Sequence, residues 1–375
     1  MTLQEENIIP AKPRKRRWWL WLIASPFLLF LFLIILLYLP PVQRFAVDKA
    51  SAFASESTGL DIRVGRLDLR FPLDLLVTDV SAIEPETNDT LLSLERLKVE
   101  LRFWKLLKKE IEIEEISIRN AVVDSRDFID GIGIKGCLGE LFLESHGVIF
   151  SPETARINEF SVKDTDISLT LENIENTDTT ASEPLYWKIL LDKIELENVG
   201  FALKMPQDSL FLRTKLPKTQ LKDGEIDLKE ASYFVRSFGI DQAELAYGIS
   251  EDIFLENVGL QVDSVYYCGR DIRANIGKFV FKERSGLELV STEGRIVADH
   301  EAIHIPNFVM KTTASFLDLQ TRIGWDVLEM NQSGVLSARL SAEFGKSDMA
   351  KILGGKDTLF LKTYPDKPLR IHADA

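Results

Sequence analysis

A run of 22 residues from Trp18 to Leu39 contains no charged side chain, and it restricts the possible folds of this chain more than any other feature. As an α-helix rising 1.5 Å per residue it would be about 33 Å long, slightly more than the ~30 Å hydrocarbon core of a bilayer. Hydrocarbon offers no partner for backbone N–H and C=O groups, so a spanning segment must satisfy them internally. The run therefore predicts one transmembrane helix over residues 18–39, with Pro26 near enough to its start for the lost hydrogen bond to be tolerated.

The flanks of this run indicate its orientation. Five basic residues precede it within residues 1–17, whereas only Arg44 and Lys49 follow it closely. The flank richer in Lys and Arg normally faces the cytoplasm. We therefore expect residues 1–17 to form a disordered cytoplasmic tail and everything after Pro40 to lie across the membrane. The residues expected to anchor the helix at the two membrane interfaces are Arg16, Arg17, Trp18, Trp19, Trp21 and Tyr38.

A cleaved signal peptide is the alternative interpretation of the same run. The apolar part of a signal peptide normally has only ~7 to 15 residues. The first small-x-small cleavage pattern, at residues 50–52, also lies well beyond the run. These two observations favour a retained membrane anchor.

The spacing of apolar residues changes after the anchor. From Val42 to Ala54 they recur at helical intervals and Gly59 follows as a stop, which predicts a short amphipathic helix over residues 40–60. From Asp61 onward the period becomes two, in runs bounded by Gly, Pro, Asp or Asn. Residues 61–375 are therefore expected to be β-rich. The predicted fold class is mainly β, with an N-terminal transmembrane helix and a few short helices.

Three segments share a weak repeat, in which two alternating apolar residues are followed by Asn and a small or apolar pair. Such repetition suggests an array that grows along one axis, although coincidence is the alternative because few positions match. An apolar sheet face normally closes a core under a second layer, and periodicity cannot distinguish that arrangement from an open groove. The apolar residues of the repeat are Ile116, Ile118, Ile194, Leu196, Ile253 and Leu255, and its asparagines are Asn120, Asn198 and Asn257.

The charge distribution argues against some partners. The formal net charge is −13, and residues 1–17 contain five basic and two acidic side chains, so the remaining chain sums to −16. Such a balance disfavours binding of nucleic acid, or of anionic membrane surfaces through the body of the protein. Cys137 and Cys268 are widely separated and form no framework pattern. A disulfide between them and two buried thiols both remain open.

Residues 300–304 have the sequence H-E-x-x-H, the signature of zinc peptidases. That chemistry requires His300 and His304 on one face of a helix, with Glu301 as general base. The surrounding alternation instead indicates strand, turn and strand, and Pro306 would break a helix. A membrane-tethered zinc hydrolase is therefore only the third hypothesis. Because no phosphate-binding loop, nucleophile elbow or cysteine cluster occurs, we expect a protein that is not an enzyme, without catalytic residues, metal ligands or cofactor.

A series of short segments resembles a known family. In the order basic tail, single span, helix and alternating strands, the chain is similar to the N-terminal region of the TamB and AsmA-like proteins of Gram-negative bacteria. The similarity covers most of the chain, but each segment is a degenerate apolar pattern. The segments that carry it are residues 57–59, 61–67, 71–75, 89–92, 106–113, 116–120, 303–315 and 364–369.

The resemblance implies an inner-membrane anchor and an elongated, taco-shaped periplasmic β-sheet with an apolar trough. Its members are thought to pass phospholipids between the inner and outer membranes, and TamB acts with TamA, an outer-membrane barrel protein. The six apolar residues of the repeat then become candidates for lining a lipid groove. The alternative from the same family is a scaffold for assembling or secreting outer-membrane proteins. Residues 369–375 alternate like a strand and stop abruptly, so we expect the N-terminal portion of a longer protein that lacks the part meeting the barrel partner.

Deletion of residues 18–39 tests the predicted anchor. The shortened protein should move from the membrane pellet to the soluble fraction after ultracentrifugation, because the only long uncharged run has been removed. The full chain, expressed in parallel, is the control. A deletion variant that still sediments with membranes would contradict the anchor.

Overall fold

The structure is a computed structural model that describes residues 32, 38–70, 74–106, 112–126, 128, 131–150, 153–172, 186–207, 209–248, 252–329, 334–354 and 358–374. Of the predicted transmembrane run these ranges include only Phe32, Tyr38 and Leu39, so both the predicted tail and the predicted helix over 18–39 lie outside the described residues. Within the described ranges, no helix combines the length and apolar character needed to cross a membrane.

Sixteen strands form one sheet and follow each other in sequence order, so the prediction of a mainly β chain is confirmed. Neighbouring strands are antiparallel, except for the parallel pair β6 and β7. The strands are β1 Asp61–Arg70, β2 Asp74–Ile83, β3 Thr90–Leu101, β4 Ile113–Asp124, β5 Ile132–Phe150, β6 Glu153–Leu171, β7 Lys188–Met205, β8 Leu210–Asp227, β9 Ser232–Tyr247, β10 Ile253–Cys268, β11 Asp271–Glu283, β12 Glu288–Ala298, β13 Ala302–Thr312, β14 Phe316–Gly324, β15 Leu336–Phe344 and β16 Leu369–Asp374.

The helices of the described part are short apart from the first. That helix, α1, ends at Gly59, whose φ of 73° is a left-handed conformation that glycine adopts without a steric penalty. The helices are α1 Pro40–Thr58, α2 Phe103–Leu106, α3 Trp325–Leu328, α4 Lys346–Ile352 and α5 Thr358–Thr363.

Helix α1 lies along the free edge of β1. The Gln43 amide Nε2 donates to the Leu69 carbonyl at 3.1 Å, and the Ile62 N–H donates to Ser55 Oγ at 2.9 Å. The edge of a sheet exposes unpaired backbone groups that invite pairing with another chain. By covering this edge, α1 removes that hazard at the first strand.

The sheet is one open, curved layer. The chain exposes 26,059 Å², whereas a compact monomer of 42.5 kDa is expected to expose about 15,000 Å². Buried apolar residues are few and mostly alanine, and the cluster of Leu60, Ala82 and Leu91 lies beside α1. The side chains of the sheet therefore do not meet a second layer in a closed core.

A line of residues that we call the first kink row crosses the sheet from β1 to β9. At each crossing the pairing of neighbouring strands skips the row residue on both strands. Five of these residues have φ between 48° and 56°, so they interrupt the extended backbone and each of their strands changes direction there. The row comprises Gly65, Asp79, Glu95, Asn120, Gly139, Asp164, Asn198, Pro217 and Gln242, and the left-handed members are Asp79, Asn120, Asp164, Asn198 and Gln242.

The kink also shifts the alternation of side chains. In β4, Ile118 precedes Asn120, and the next residue on the same face is Ala121, three positions on rather than two. Val122 accordingly points to the opposite face and is 55% exposed, whereas Ala121 is half-buried. The three-residue step at the row, which passes through a left-handed residue in five of the nine strands, therefore keeps apolar side chains on one face although the strand bends.

Kinks of this kind explain the sequence repeat. Asn120 and Asn198 belong to the first kink row, and Asn257 lies on the next strand, β10. All three are left-handed, with φ of 50° at Asn120, 53° at Asn198 and 53° at Asn257. Asn and Asp tolerate this conformation better than other residues with a side chain. The Asn198 amide also donates to Asp164 in the neighbouring strand at 2.7 Å. The repeated motif therefore marks where each strand bends.

Glycine is required at one position of this row, where β5 closely approaches the left-handed Asp164 of β6. A Cβ on Gly139 would lie 2.7 Å from the Asp164 carbonyl oxygen and 2.9 Å from the Asp164 Cβ. In the same pair of strands, a Cβ on Gly133 would meet Thr170 at 3.4 Å, an ordinary van der Waals distance.

Gly139→Ala should destabilise the protein by roughly 1–3 kcal/mol, because the backbone of β6 must move to admit the methyl group. Gly133→Ala is the matched control and should be neutral or slightly stabilising. Thermal unfolding followed by circular dichroism measures both. Equal melting temperatures for the two variants would contradict the close approach at the first kink row.

Candidate functional site: an apolar groove

One apolar row, which we call the long row, passes through all sixteen strands without a polar side chain. Each residue in it is the registered partner of the next. Fifteen interstrand steps of ~4.8 Å make it about 70 Å long. Its members are Leu69, Leu75, Val99, Ile116, Leu143, Phe160, Ile194, Leu221, Phe238, Val262, Ile276, Gly294, Phe308, Leu319, Leu340 and Ala373.

A second row, the short row, runs beside the long row on the same face. It spans ten strands, from β1 to β10, and its single polar member is Thr219. In each strand the two rows are two residues apart, which is the spacing for side chains on one face. The members of the short row are Leu67, Val77, Leu97, Ile118, Leu141, Val162, Leu196, Thr219, Ile240 and Leu260.

A second kink row borders the same two rows on their other side, from β6 to β10. The pairing again skips the row residues, and Asp223 and Ser264 have φ of 50° and 56°. The Asn158 amide donates to Asp192 at 3.1 Å across this row. The row comprises Asn158, Asp192, Asp223, Arg236 and Ser264.

The two kink rows divide the middle of the sheet into three panels. The panel between the rows is the floor of the groove, and the panel on the outer side of each row is a wall. In β7, five residues separate Asp192 from Asn198, which corresponds to about 17 Å of extended chain. On the groove face of this strand, the apolar residues follow the same division, with steps of two inside each panel and steps of three across each kink. They are Ile189, Leu191, Ile194, Leu196, Val199, Phe201 and Leu203.

The opposite face of the floor is polar and charged. Lys193, next to Ile194 in β7, lies 2.9 Å from Glu195 and 3.1 Å from Glu159, and hydrogen bonds to these two carboxylates raise the pKa of Lys193. Lys98 in β3 has the same surroundings, 2.5 Å from Glu100 and 3.0 Å from Glu115. The sheet is therefore apolar on one face and hydrated on the other.

The apolar face is open to solvent in the described part of the chain. Every side chain of the long row is half-buried or exposed, and only Gly294, which has no side chain, is buried. In a core closed by a second layer, residues such as Ile, Leu and Phe are mostly buried completely. In the short row only Val162 and Thr219 are buried, and the other members are half-buried. The two rows therefore form the floor of a groove.

The two ends of the groove differ. At the first strand, α1 covers the edge of β1 through Gln43 and Ser55. At the last strand of the described part, all six residues of β16 are exposed. Within the described residues, a helix therefore covers the groove at β1, and the residues of β16 are exposed.

The structure places all six predicted lining residues on the apolar face. Ile116 and Ile194 belong to the long row, and Ile118 and Leu196 belong to the short row. Ile253 and Leu255 lie beyond the first kink row, in the wall, where they pair with Tyr247 and Leu245. Of the predicted membrane-interface anchors, Tyr38 is half-buried just before α1, and the others lie outside the described residues. Those others are Arg16, Arg17, Trp18, Trp19 and Trp21.

The H-E-x-x-H sequence lies in a turn and a strand, not on a helix. His300 and Glu301 lie in the turn between β12 and β13, and His304 lies on β13. No group of three or more potential metal ligands occurs among the described residues. The histidines therefore lack the common helical face that zinc peptidases need.

The two cysteines do not pair. Cys137 and Cys268 are both free thiols, and Cys137 is exposed. The Cys268 thiol lies 3.7 Å from the carbonyl oxygen of Glu230.

Sequence reasoning missed most of the groove. It treated alternation as continuous and so did not identify the three-residue steps that fall at each kink. The signal was present as Asn or Asp between two apolar pairs, for example at Asp79, Asp164 and Asp192.

Comparison with known proteins adds nothing to this geometry, since neither a family model nor a curated protein matches the chain.

Leu196→Glu tests whether this face is open. In an open groove the new carboxylate reaches water, so the variant should stay folded at a cost of roughly 1–2 kcal/mol, with weaker binding of an apolar dye such as anilinonaphthalene sulfonate. In a sealed core an unpaired charge would cost several kcal/mol more. Glu195→Gln, on the opposite face of the same strand, is the control and should leave dye binding unchanged. Unfolding of Leu196→Glu alone would contradict an open face.

Proposed function

We propose that this protein is an inner-membrane-anchored periplasmic bridge that conducts phospholipids between the inner and outer membranes. The long row carries this proposal, because it is an apolar track of about 70 Å that no polar side chain interrupts and no second layer of the described residues covers. The predicted helix over residues 18–39 would hold one end at the membrane.

The energetics favour such a track. Each methylene moved out of water gains ~0.8 kcal/mol, so about fifteen methylenes lose about 12 kcal/mol when a tail leaves the bilayer unaccompanied. On the groove floor a tail stays in contact with apolar side chains from strand to strand, spaced ~4.8 Å apart. The tail is therefore never fully exposed to water while it moves, and the full free-energy cost of that exposure does not arise.

The open side of the groove suits an amphiphile. A phospholipid headgroup is charged and costly to bury, and an open groove lets it stay in water while its tails lie on the floor. A closed tunnel of the same lining would have to dehydrate it. Passage along an open groove also needs no catalytic residue, metal or cofactor.

The outer-membrane end of the proposed route would require a partner. By the family resemblance, this is a barrel protein of the TamA type, met through a C-terminal part of a longer chain. The second family role, a scaffold for outer-membrane or secreted proteins, would bring polypeptide rather than lipid to the groove.

Site-specific photo-crosslinking in cells tests the proposal. A photoreactive amino acid placed singly on the apolar face should capture phospholipid, detected by mass spectrometry of the purified adduct. The same amino acid at Glu115 or Glu195, on the opposite face, is the matched control. Capture no better than at these controls would contradict lipid conduction, and capture of polypeptide alone would favour the scaffold. The positions to test are Ile116, Ile118, Ile194, Leu196, Ile253 and Leu255.

A further inference from the structure

A cavity of about 700 Å³ lies between α1 and the edge of β1, where the groove begins. Gln43 and Ser55 of the helix form hydrogen bonds to the strand at two separate positions, Leu69 and Ile62. The strand residues that line the cavity, 64–68, lie between the two points of attachment, Ile62 and Leu69. The helix therefore bridges over a stretch of strand edge and leaves a space there.

Two charged residues of opposite sign line the cavity without an ion pair to another described residue. Arg44 and Asp48 lie one turn apart on α1, and in the described part of the chain neither forms an ion pair. The other two charged residues of the lining, Arg66 and Asp68, bind each other at 2.8 Å. A ligand in this cavity would thus meet one free guanidinium and one free carboxylate.

The strand side of the cavity adds backbone groups. The Ile62 N–H and the Leu69 carbonyl point toward α1. Strand groups alternate in direction with a period of two, so the backbone N–H and C=O of Val64 and Leu67 point the same way. Outside the ladder that joins β1 to β2, the backbone hydrogen bonds of the described residues include none at Val64 or Leu67. On the edge of β1 that faces away from β2, these groups are therefore placed to meet a polar ligand.

The cavity shares residues with the groove. Leu67 is the first residue of the short row, and Val64 is paired with Val80 on the wall beyond the first kink row. Pro40, which also lines the cavity, directly follows the predicted membrane span. The cavity therefore lies between the expected membrane surface and the start of the apolar track.

We propose that this cavity is a headgroup site that selects zwitterionic phospholipids as they enter the groove. Arg44 binds the phosphodiester, Asp48 binds the ammonium group, and the tails leave along Val64 and Leu67 toward the rows. The site rests on the proposed function, and it adds a preference for a headgroup that carries both charges over one that carries only the phosphate.

Equilibrium binding to the detergent-solubilised full chain tests this site. The probes are fluorescent short-chain phosphatidylethanolamine and phosphatidylglycerol of equal chain length. Wild type should bind the first more tightly. Asp48→Asn should weaken phosphatidylethanolamine binding about threefold and leave phosphatidylglycerol unchanged, and Arg44→Gln should weaken both about threefold to tenfold, as expected for single partly exposed charge contacts.

Arg63→Gln is the matched control. Arg63 lies on β1 outside the cavity and pairs with Asp61, so its removal should change neither affinity. Glycerophosphoethanolamine without tails should bind far more weakly than the lipid, and equal binding would overturn the lipid assignment in favour of a soluble phosphodiester. Wild-type affinities for Arg44→Gln and Asp48→Asn would overturn the site.

The result separates this site from the proposed function. If groove positions such as Ile194 capture lipid while the Arg44 and Asp48 variants bind both probes like wild type, the headgroup site is wrong and conduction stands. If the variants change binding as expected while the groove captures nothing, conduction is wrong and only a headgroup site remains.

Discussion

Every strand in a hydrogen-bonded sheet must bend where its neighbours bend, and the rest of this structure depends on that constraint. A strand that changes direction alone would break the pairing on both sides. Here the residues that the pairing skips fall on one line across β1 to β9, five of them left-handed, so the pairing resumes in register beyond them. The same line requires a small partner where the approach is closest, as at Gly139 beside Asp164. The bend is thus a property of the whole sheet.

The kinks also determine which side chains share a face. After a left-handed residue, the side chains that point to a given face come one position later in the sequence. An apolar residue must therefore also come one position later to stay on the apolar face. In β7 this occurs twice, at Asp192 and at Asn198, and Ile194 and Leu196 lie between them on the floor. The opposite face keeps its charged residues through both kinks, with Lys193 held between Glu195 and Glu159. The result is a single amphipathic layer of sixteen strands in the described part of the chain. The proposed conduction of lipid uses its open apolar face.

The sequence predicts the class of structure but not its shape. Period-two alternation identified the strands, and Gly59 indicated the end of α1. The alternation of Ile116 and Ile118 gave the correct face for those residues but could not show whether a second layer covers it. Whether a second layer covers the sheet depends on residues that are distant in sequence, and the local alternation of apolar residues does not show it. The kinks could not be predicted for a different reason. An asparagine such as Asn120 is equally typical of a turn, and only the pairing with neighbouring strands shows that β4 continues beyond it.

Spin-label accessibility measured along β7 in the full chain tests the central claim most directly. Single labels at each position from 193 to 203 report collisions with oxygen, which favours apolar surroundings, and with a polar nickel chelate. An open, kinked sheet predicts oxygen maxima at Ile194, Leu196, Val199, Phe201 and Leu203, two residues apart except for one step of three across Asn198. It also predicts access for the nickel chelate at Lys193 and Glu195. Apolar positions that neither reagent reaches, or an unbroken period of two through Asn198, would contradict the account.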